Sequence, residues 1–164
     1  MSQKQYTNEL TADVLAELDK SPFTEEALAD MPDDALAIIR EQEEFCRQHP
    51  VVAIWRHATT GSLTRNGGVV SSASSGSEVA DSTGEMAEMA MVGDEVTYQD
   101  GTTARIISGS GSAFSCHGKG YALVGSQLDN GDEIISTPQR TALLCCREGE
   151  SMPADFLVVP ECKP

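Results

Sequence analysis

Gly61 to Gly68 reads Gly-Ser-Leu-Thr-Arg-Asn-Gly-Gly, and Gly125 to Asp132 reads Gly-Ser-Gln-Leu-Asp-Asn-Gly-Asp, so the chain carries Gly-Ser-x-x-x-Asn-Gly twice with the same spacing. A looser third copy, Gly93 to Thr102, keeps Gly at each end of the turn and Asp before the second Gly, with two extra residues between. The Asn-Gly or Asp-Gly pairs fall at Asn66-Gly67, Asp100-Gly101 and Asn130-Gly131, 34 and then 30 residues apart. Both residues of such a pair tolerate positive φ, which favours tight hairpin turns. β-branched pairs follow each copy: Val69-Val70, Ile106-Ile107 and Ile134-Ile135. Each unit therefore predicts strand, sharp turn, strand. None is large enough to bury a face alone, so the three must share one core.

Two copies also share a lead-in, Met89-Ala90-Met91-Val92-Gly93 matching Tyr121-Ala122-Leu123-Val124-Gly125. A threefold repeat within one chain gives approximate threefold symmetry in a monomer. Such a monomer is suited to closing the end of a true trimer, because three similar faces meet three equivalent surfaces. The periodicity is equally compatible with a small barrel or β-sandwich of unrelated role.

Composition supports short strands. Apolar residues make up 40% but aromatics only 5%, and there are 14 Gly, so the core is built from Val, Ile, Leu, Ala and Met in a turn-rich chain. A net charge of −15 excludes nucleic acid as a main partner, since that binding depends on Lys and Arg displacing counterions. The first 50 residues hold four Lys or Arg against twelve Asp or Glu, a balance of −8, so the acidity is concentrated there. No apolar run approaches the roughly 20 residues needed to cross a bilayer, and Met1 to Asp19 lacks the pattern of a signal peptide. These features point to a protein made in the cytoplasm without a membrane anchor. The cysteines, Cys46, Cys116, Cys145, Cys146 and Cys162, show no framework spacing and read as reduced thiols.

The N-terminal third reads as helix. Thr11 caps Ala12 to Lys20, with Val14, Leu15 and Leu18 on one face, until Ser21-Pro22 interrupts it. Thr24 restarts a turn through Leu28. Pro32 suits a first helical position ahead of Asp33 and Asp34, and Leu36, Ile39 and Phe45 form a sparse apolar stripe ending before Pro50. After Pro50 the chain turns to strands, including Ala104 to Ser108 and Glu133 to Thr137, while Ser71 to Gly84 reads as a surface loop or an irregular strand pair. In the tail, Thr141 to Cys146 and Phe156 to Val159 read as two added strands.

Asn66-Gly67-Gly68, Ala90-Met91-Val92-Gly93-Asp94, Ile106-Ile107-Ser108-Gly109 and Gly118-Lys119-Gly120-Tyr121-Ala122-Leu123-Val124-Gly125 occur in an order and at spacings that resemble the PAAR family. These are the conical tip proteins of type VI secretion and other contractile-tail spikes. The likeness spans Ala58 to Pro138, although the Pro-Ala-Ala-Arg signature itself is missing. It implies a mainly β, conical domain of short strands with pseudo-threefold repeats, preceded here by an acidic α-helical segment. The division is residues 1–50 for the helical extension, 51–138 for the β domain and 139–164 for C-terminal strands or tail.

The same resemblance implies candidate tip turns at Asn66, Gly67, Asp100, Gly101, Asn130 and Gly131. The family's metal-binding positions fall here on Asn66, the Tyr98 to Asp100 turn and Asn130 in place of His and Cys. Amides are poor zinc ligands, so no tip metal and no other cofactor is expected. Elsewhere Cys116-His117 and Cys145-Cys146 are adjacent pairs that diverge along a strand, and with His57 they make a ligand set only on paper. The histidines His49, His57 and His117 sit in no catalytic motif, and Gly118-Lys119-Gly120 is not a phosphate loop.

The expectation is a non-enzymatic tip, a monomer on its own, that caps a trimeric VgrG-like spike, sharpens it for membrane puncture, and is exported with it. The N-terminal helices are the place to recruit an effector or a chaperone. The competing expectation is a small cytoplasmic adaptor, chaperone or immunity-type protein acting through its acidic helices.

Overall fold

The repeat units begin at residues that the backbone brings to a common axis. In the computed structural model, which describes residues 4–18, 23–116 and 118–157, Ala58, Ala90 and Ala122 lie 32 residues apart and are each 0% exposed. The Ala58 N–H donates to the Ala122 carbonyl, Ala90 to Ala58, and Ala122 to Ala90, each at 2.9 Å. These three hydrogen bonds close a ring. A second cycle surrounds it: Thr60 donates to Glu88, Val92 to Gly120 and Val124 to Arg56, at 3.0, 3.0 and 2.8 Å. The corresponding antiparallel bridges are His57 with Leu123, Thr59 with Met89 and Met91 with Tyr121. A side chain larger than a methyl would hold three backbones further apart than this, and Ala occupies all three positions.

Each ring segment then turns a corner at a glycine. Gly61, Gly93 and Gly125 adopt φ of 91°, 97° and 105°, a region that L side chains rarely enter. The residue after each glycine caps the corner. Ser62 Oγ accepts from Thr59 N–H, Asp94 Oδ2 from Met91 N–H, and Ser126 Oγ from Leu123 N–H, at 2.9, 2.7 and 2.9 Å. Buried polar groups demand such partners, which explains Gly-Ser and Gly-Asp at equivalent positions.

From the corners the chain enters three hairpins. The strands in chain order are β1 (Val51–Arg56), β2 (Leu63–Thr64), β3 (Val69–Val70), β4 (Glu78–Ala80), β5 (Met86–Glu88), β6 (Glu95–Thr97), β7 (Thr103–Arg105), β8 (Ser115–Cys116), β9 (Lys119–Gly120), β10 (Ile134–Ser136) and β11 (Leu143–Arg147). A five-stranded sheet runs β10-β2-β3-β6-β7, with Val69 opposite Thr97 and Val70 opposite Val96. Bridges Ile106–Leu128 and Gln127–Glu133 join β7 back to β10 through residues 126–128. The sheet thus closes on itself as a small barrel, which removes free edges. Its interior is filled by equivalent triplets: the three alanines, then Val70, Ile106 and Ile134, then Thr64, Val96 and Leu128, none more than 3% exposed. Burying each Val, Ile or Leu contributes about 1.5–3 kcal/mol.

The linkers between copies differ. Residues 71–84, read from sequence as a loop or strand pair, hold β4, which pairs with β5 in register Glu78–Glu88, Val79–Ala87 and Ala80–Met86. Asp81 Oδ1 fixes their turn by accepting from the N–H groups of Thr83 and Glu85 at 2.8 and 3.1 Å. Strands β8 and β9 form another short hairpin, and β1 pairs with β11. Residues 154–157 form a turn rather than the start of a strand. Asp155 is held there because its carboxylate caps Ser112, accepting from N–H and Oγ at 2.9 Å each.

The chain divides into two compact units, one of Met1–Asn8, Trp55–Leu144 and Met152–Pro164, the other of Glu9–Ile54 and Cys145–Ser151. In the first, Tyr6 bridges Thr137, and Asn8 links Val124 O to Arg56 N–H at 2.7 and 2.8 Å. The second holds α1 (Ala12–Leu18), α2 (Glu25–Ala29) and α3 (Asp33–Gln48). Thr11 caps α1 through Val14 N–H at 3.3 Å, and Thr24 caps α2 through Ala27 N–H at 3.1 Å. Pro32 is the N-cap of α3, one position earlier than its φ preference suggested. No α3 residue is buried, and Phe45, 49% exposed, stacks on His49 instead of extending an apolar stripe. Lys20, Ser21-Pro22, His117, Cys162 and the end of the Phe156 to Val159 run lie outside the described residues.

Because the three alanines are equivalent, Ala58→Val, Ala90→Val and Ala122→Val should each destabilise the protein by a similar amount, about 1–3 kcal/mol from overpacking. Denaturant titration of the three variants checks this. A single position tolerating Val freely would break the equivalence.

Candidate functional site

The three hairpin turns share one hydrogen-bond pattern. Gly67 N–H donates to Thr64 O, Gly101 to Tyr98 O and Gly131 to Leu128 O, at 3.2, 3.0 and 3.0 Å. Thr64 N–H donates to Gly68 O, Tyr98 to Thr102 O and Leu128 to Asp132 O, each at 2.9 Å. Gly67, Gly101 and Gly131 adopt φ of 88°, 87° and 87°. The Asn-Gly and Asp-Gly pairs of the sequence therefore make one turn three times.

The structure brings these turns together. Asn66, Gly67, Tyr98, Gln99, Asp100, Thr102 and Asn130 line a single open depression. Gly101 and Gly131 belong to the same exposed turns but do not line it.

Beneath that rim lies a network around a buried carboxylate that the repeat did not announce. Asp132 is 1% exposed. Its Oδ2 accepts from the Tyr98 hydroxyl at 2.5 Å, and its Oδ1 accepts from the N–H groups of Glu133 and Asn66 at 2.8 and 3.2 Å. Asn130 Nδ2 donates to the same Tyr98 oxygen at 3.0 Å. Burial alone would raise the Asp132 carboxyl, but hydrogen bonds from the Thr64 and Tyr98 side chains and from the two backbone N–H groups outweigh it and hold the group below its ordinary value. Burial is also the main reason the Tyr98 phenol sits above its usual value. At the rim, the side-chain and backbone hydrogen bonds from Thr102 hold Asp100 below the ordinary carboxylate value. The network is therefore ionised at Asp132 and protonated at Tyr98 near neutral pH.

Gly68 explains the register. A Cβ there would lie 2.6 Å from Val96 Cγ1, 2.8 Å from Tyr98 Cε1 and 2.9 Å from Thr64 Oγ1. Tyr98 is available to pack there because the second copy carries two extra residues between Gly93 and Asp100. The underlying repeat is 32 residues, and this insertion is what displaces the turn spacing to 34 and 30.

His57, weighed from sequence as a ligand, is not part of the depression. It is 2% exposed, and burial lowers its pKa from 6.5 to about 4, so the ring is neutral at neutral pH. It makes edge contacts to Phe114 and Tyr121 at 5.1 and 5.6 Å, and among the described residues its Nδ1 has no hydrogen-bond partner. Cys145 and Cys146 are adjacent on β11, one exposed and one buried. Among the described residues, no group of three or more His, Cys, Asp or Glu is placed to hold a metal.

Residues 60–136 match the family model described as PAAR motif. No curated protein and no solved structure matches the chain. The metal implied by that family is zinc at the tip, bound by imidazole and thiolate. The residues lining the depression here offer amide, phenol, hydroxyl and carboxylate groups, with no imidazole or thiol among them. This donor set does not fit zinc.

Gly67→Ala, Gly101→Ala and Gly131→Ala should each cost about 1 kcal/mol, because the strained φ is the whole penalty and no atom lies within 4 Å of the new Cβ. Gly68→Ala should cost clearly more, since the Tyr98 ring must move. Thermal melts of the four variants test this order.

Proposed function

Since residues 60–136 make this chain a PAAR-domain protein, we propose that it caps a trimeric, VgrG-like spike and forms the leading point of a contractile apparatus. The observation that carries this reading is the closed cycle of Ala58, Ala90 and Ala122 hydrogen bonds. It gives one chain three equivalent faces, which a trimer can meet with three equivalent surfaces. A monomer without such internal symmetry would match a threefold axis at only one face.

The role is mechanical. The short strands of the five-stranded sheet, closed edge to edge through the bridges at residues 126–128, resist shear because each of them is paired on both sides. No reaction is assigned, since the exposed turns present no nucleophile with a base and an orienting group. On this reading the protein waits in the cytoplasm and leaves with the spike. The acidic helical unit, where α3 leaves Ile38 60% exposed, is the surface for an effector or a chaperone. No described helix is long and apolar enough to cross a membrane.

Pull-down of the tagged full chain from its native cell tests the reading. Recovery of one copy per trimer of a β-helical spike protein is the expected result, and it should persist when Glu9 to His49 is replaced by a short Gly-Ser linker. Recovery of a different stable partner, lost with that replacement, would favour the adaptor role and remove the tip role.

A further inference from the structure

We propose that the point of this domain is closed by a side-chain knot centred on Tyr98 and Asp132, standing where the family's fold uses a metal, so that the tip holds its shape without a metal ion. The inference rests on the family assignment and on the geometry of the turns, and is independent of whether the chain docks on a spike.

A tip metal would tie three turns to one centre. In this chain a single buried carboxylate does so. Asp132 belongs to the third copy and collects the Asn66 N–H at 3.2 Å from the first copy and the Tyr98 hydroxyl at 2.5 Å from the second. Asn130 closes the knot by donating to Tyr98 at 3.0 Å while its Oδ1 accepts from Asp132 N–H at 3.0 Å. A buried carboxylate is costly unless its oxygens are satisfied. Here both are, Oδ1 by two backbone N–H groups and Oδ2 by the Tyr98 phenol.

The departures from symmetry point the same way. Gly68, Thr102 and Asp132 occupy the same place in the three turns, as acceptors of the equivalent backbone hydrogen bond. Each of the three does something different. Gly68 makes room for the Tyr98 ring, Thr102 caps Asp100 through its hydroxyl at 2.6 Å, and Asp132 accepts the phenol. The two-residue insertion of the second copy supplies the aromatic. An asymmetric plug, not a symmetric ligand shell, accounts for all four features.

The test uses the full chain expressed in zinc-supplemented medium. Elemental analysis should find substoichiometric metal, and the melting temperature should be the same with EDTA, with added zinc and with neither. Tyr98→Phe and Asp132→Asn should each lower it by about 5 °C or more, and the double variant should fall no further than the worse single one, because both remove the same interaction. Stoichiometric zinc whose removal by chelator lowers the melting temperature would overturn the proposal, as would additive losses in the double variant. If Asp132→Asn does not fold, the metal content and chelator response of the unaltered chain, with Tyr98→Phe alone, decide the outcome.

Discussion

Three backbone hydrogen bonds among Ala58, Ala90 and Ala122 are the constraint from which the rest of the β-unit follows. A cycle of donors and acceptors that closes after three steps needs three backbones near one axis, and this admits no side chain larger than a methyl. With the axis occupied, each chain segment must leave it sharply. The positive φ of Gly61, Gly93 and Gly125 provides the bend, and a Ser or Asp side chain satisfies the amide that the bend strands. The hairpins that follow are too short to be stable alone. They persist because each pairs with the next and the last with the first.

Symmetry is kept where it serves packing and broken where it serves the ends. Outside the three alanines, the interior triplets are β-branched residues except for Leu128, and Thr64 brings the single hydroxyl. Toward the turns the three copies diverge into room, cap and carboxylate at Gly68, Thr102 and Asp132. The linkers diverge as well, as the β4–β5 hairpin in one and β8–β9 in the next. A symmetric body with an asymmetric plug suits a proposed cap, because docking on a trimer needs three equal faces while a point has room for only one of anything.

Much of this was legible in the sequence, and what was not has a physical cause. The turn residues declared themselves because Asn-Gly and Asp-Gly are local signals, and Asn66, Asp100 and Asn130 do meet around one depression. The lead-in of the first copy is hidden because His57-Ala58-Thr59-Thr60-Gly61 lacks the apolar character of its two counterparts; the Ala three residues before Gly was the signal available. The partnership of Tyr98 with Asp132 spans 34 residues and depends on a closed barrel, so no local pattern could show it. Phe156 looked like the start of a strand from its apolar neighbours, yet the Asp155 cap on Ser112 and an edge contact with Trp55 at 4.8 Å hold it in a turn.

Native-state hydrogen exchange at the Ala58, Ala90 and Ala122 amides tests the ring most directly. If the cycle holds the unit together, the three amides exchange at one common rate, set by global unfolding and among the slowest in the protein. If one of them exchanges orders of magnitude faster than the other two, its copy opens on its own, and the ring is not what the fold depends on.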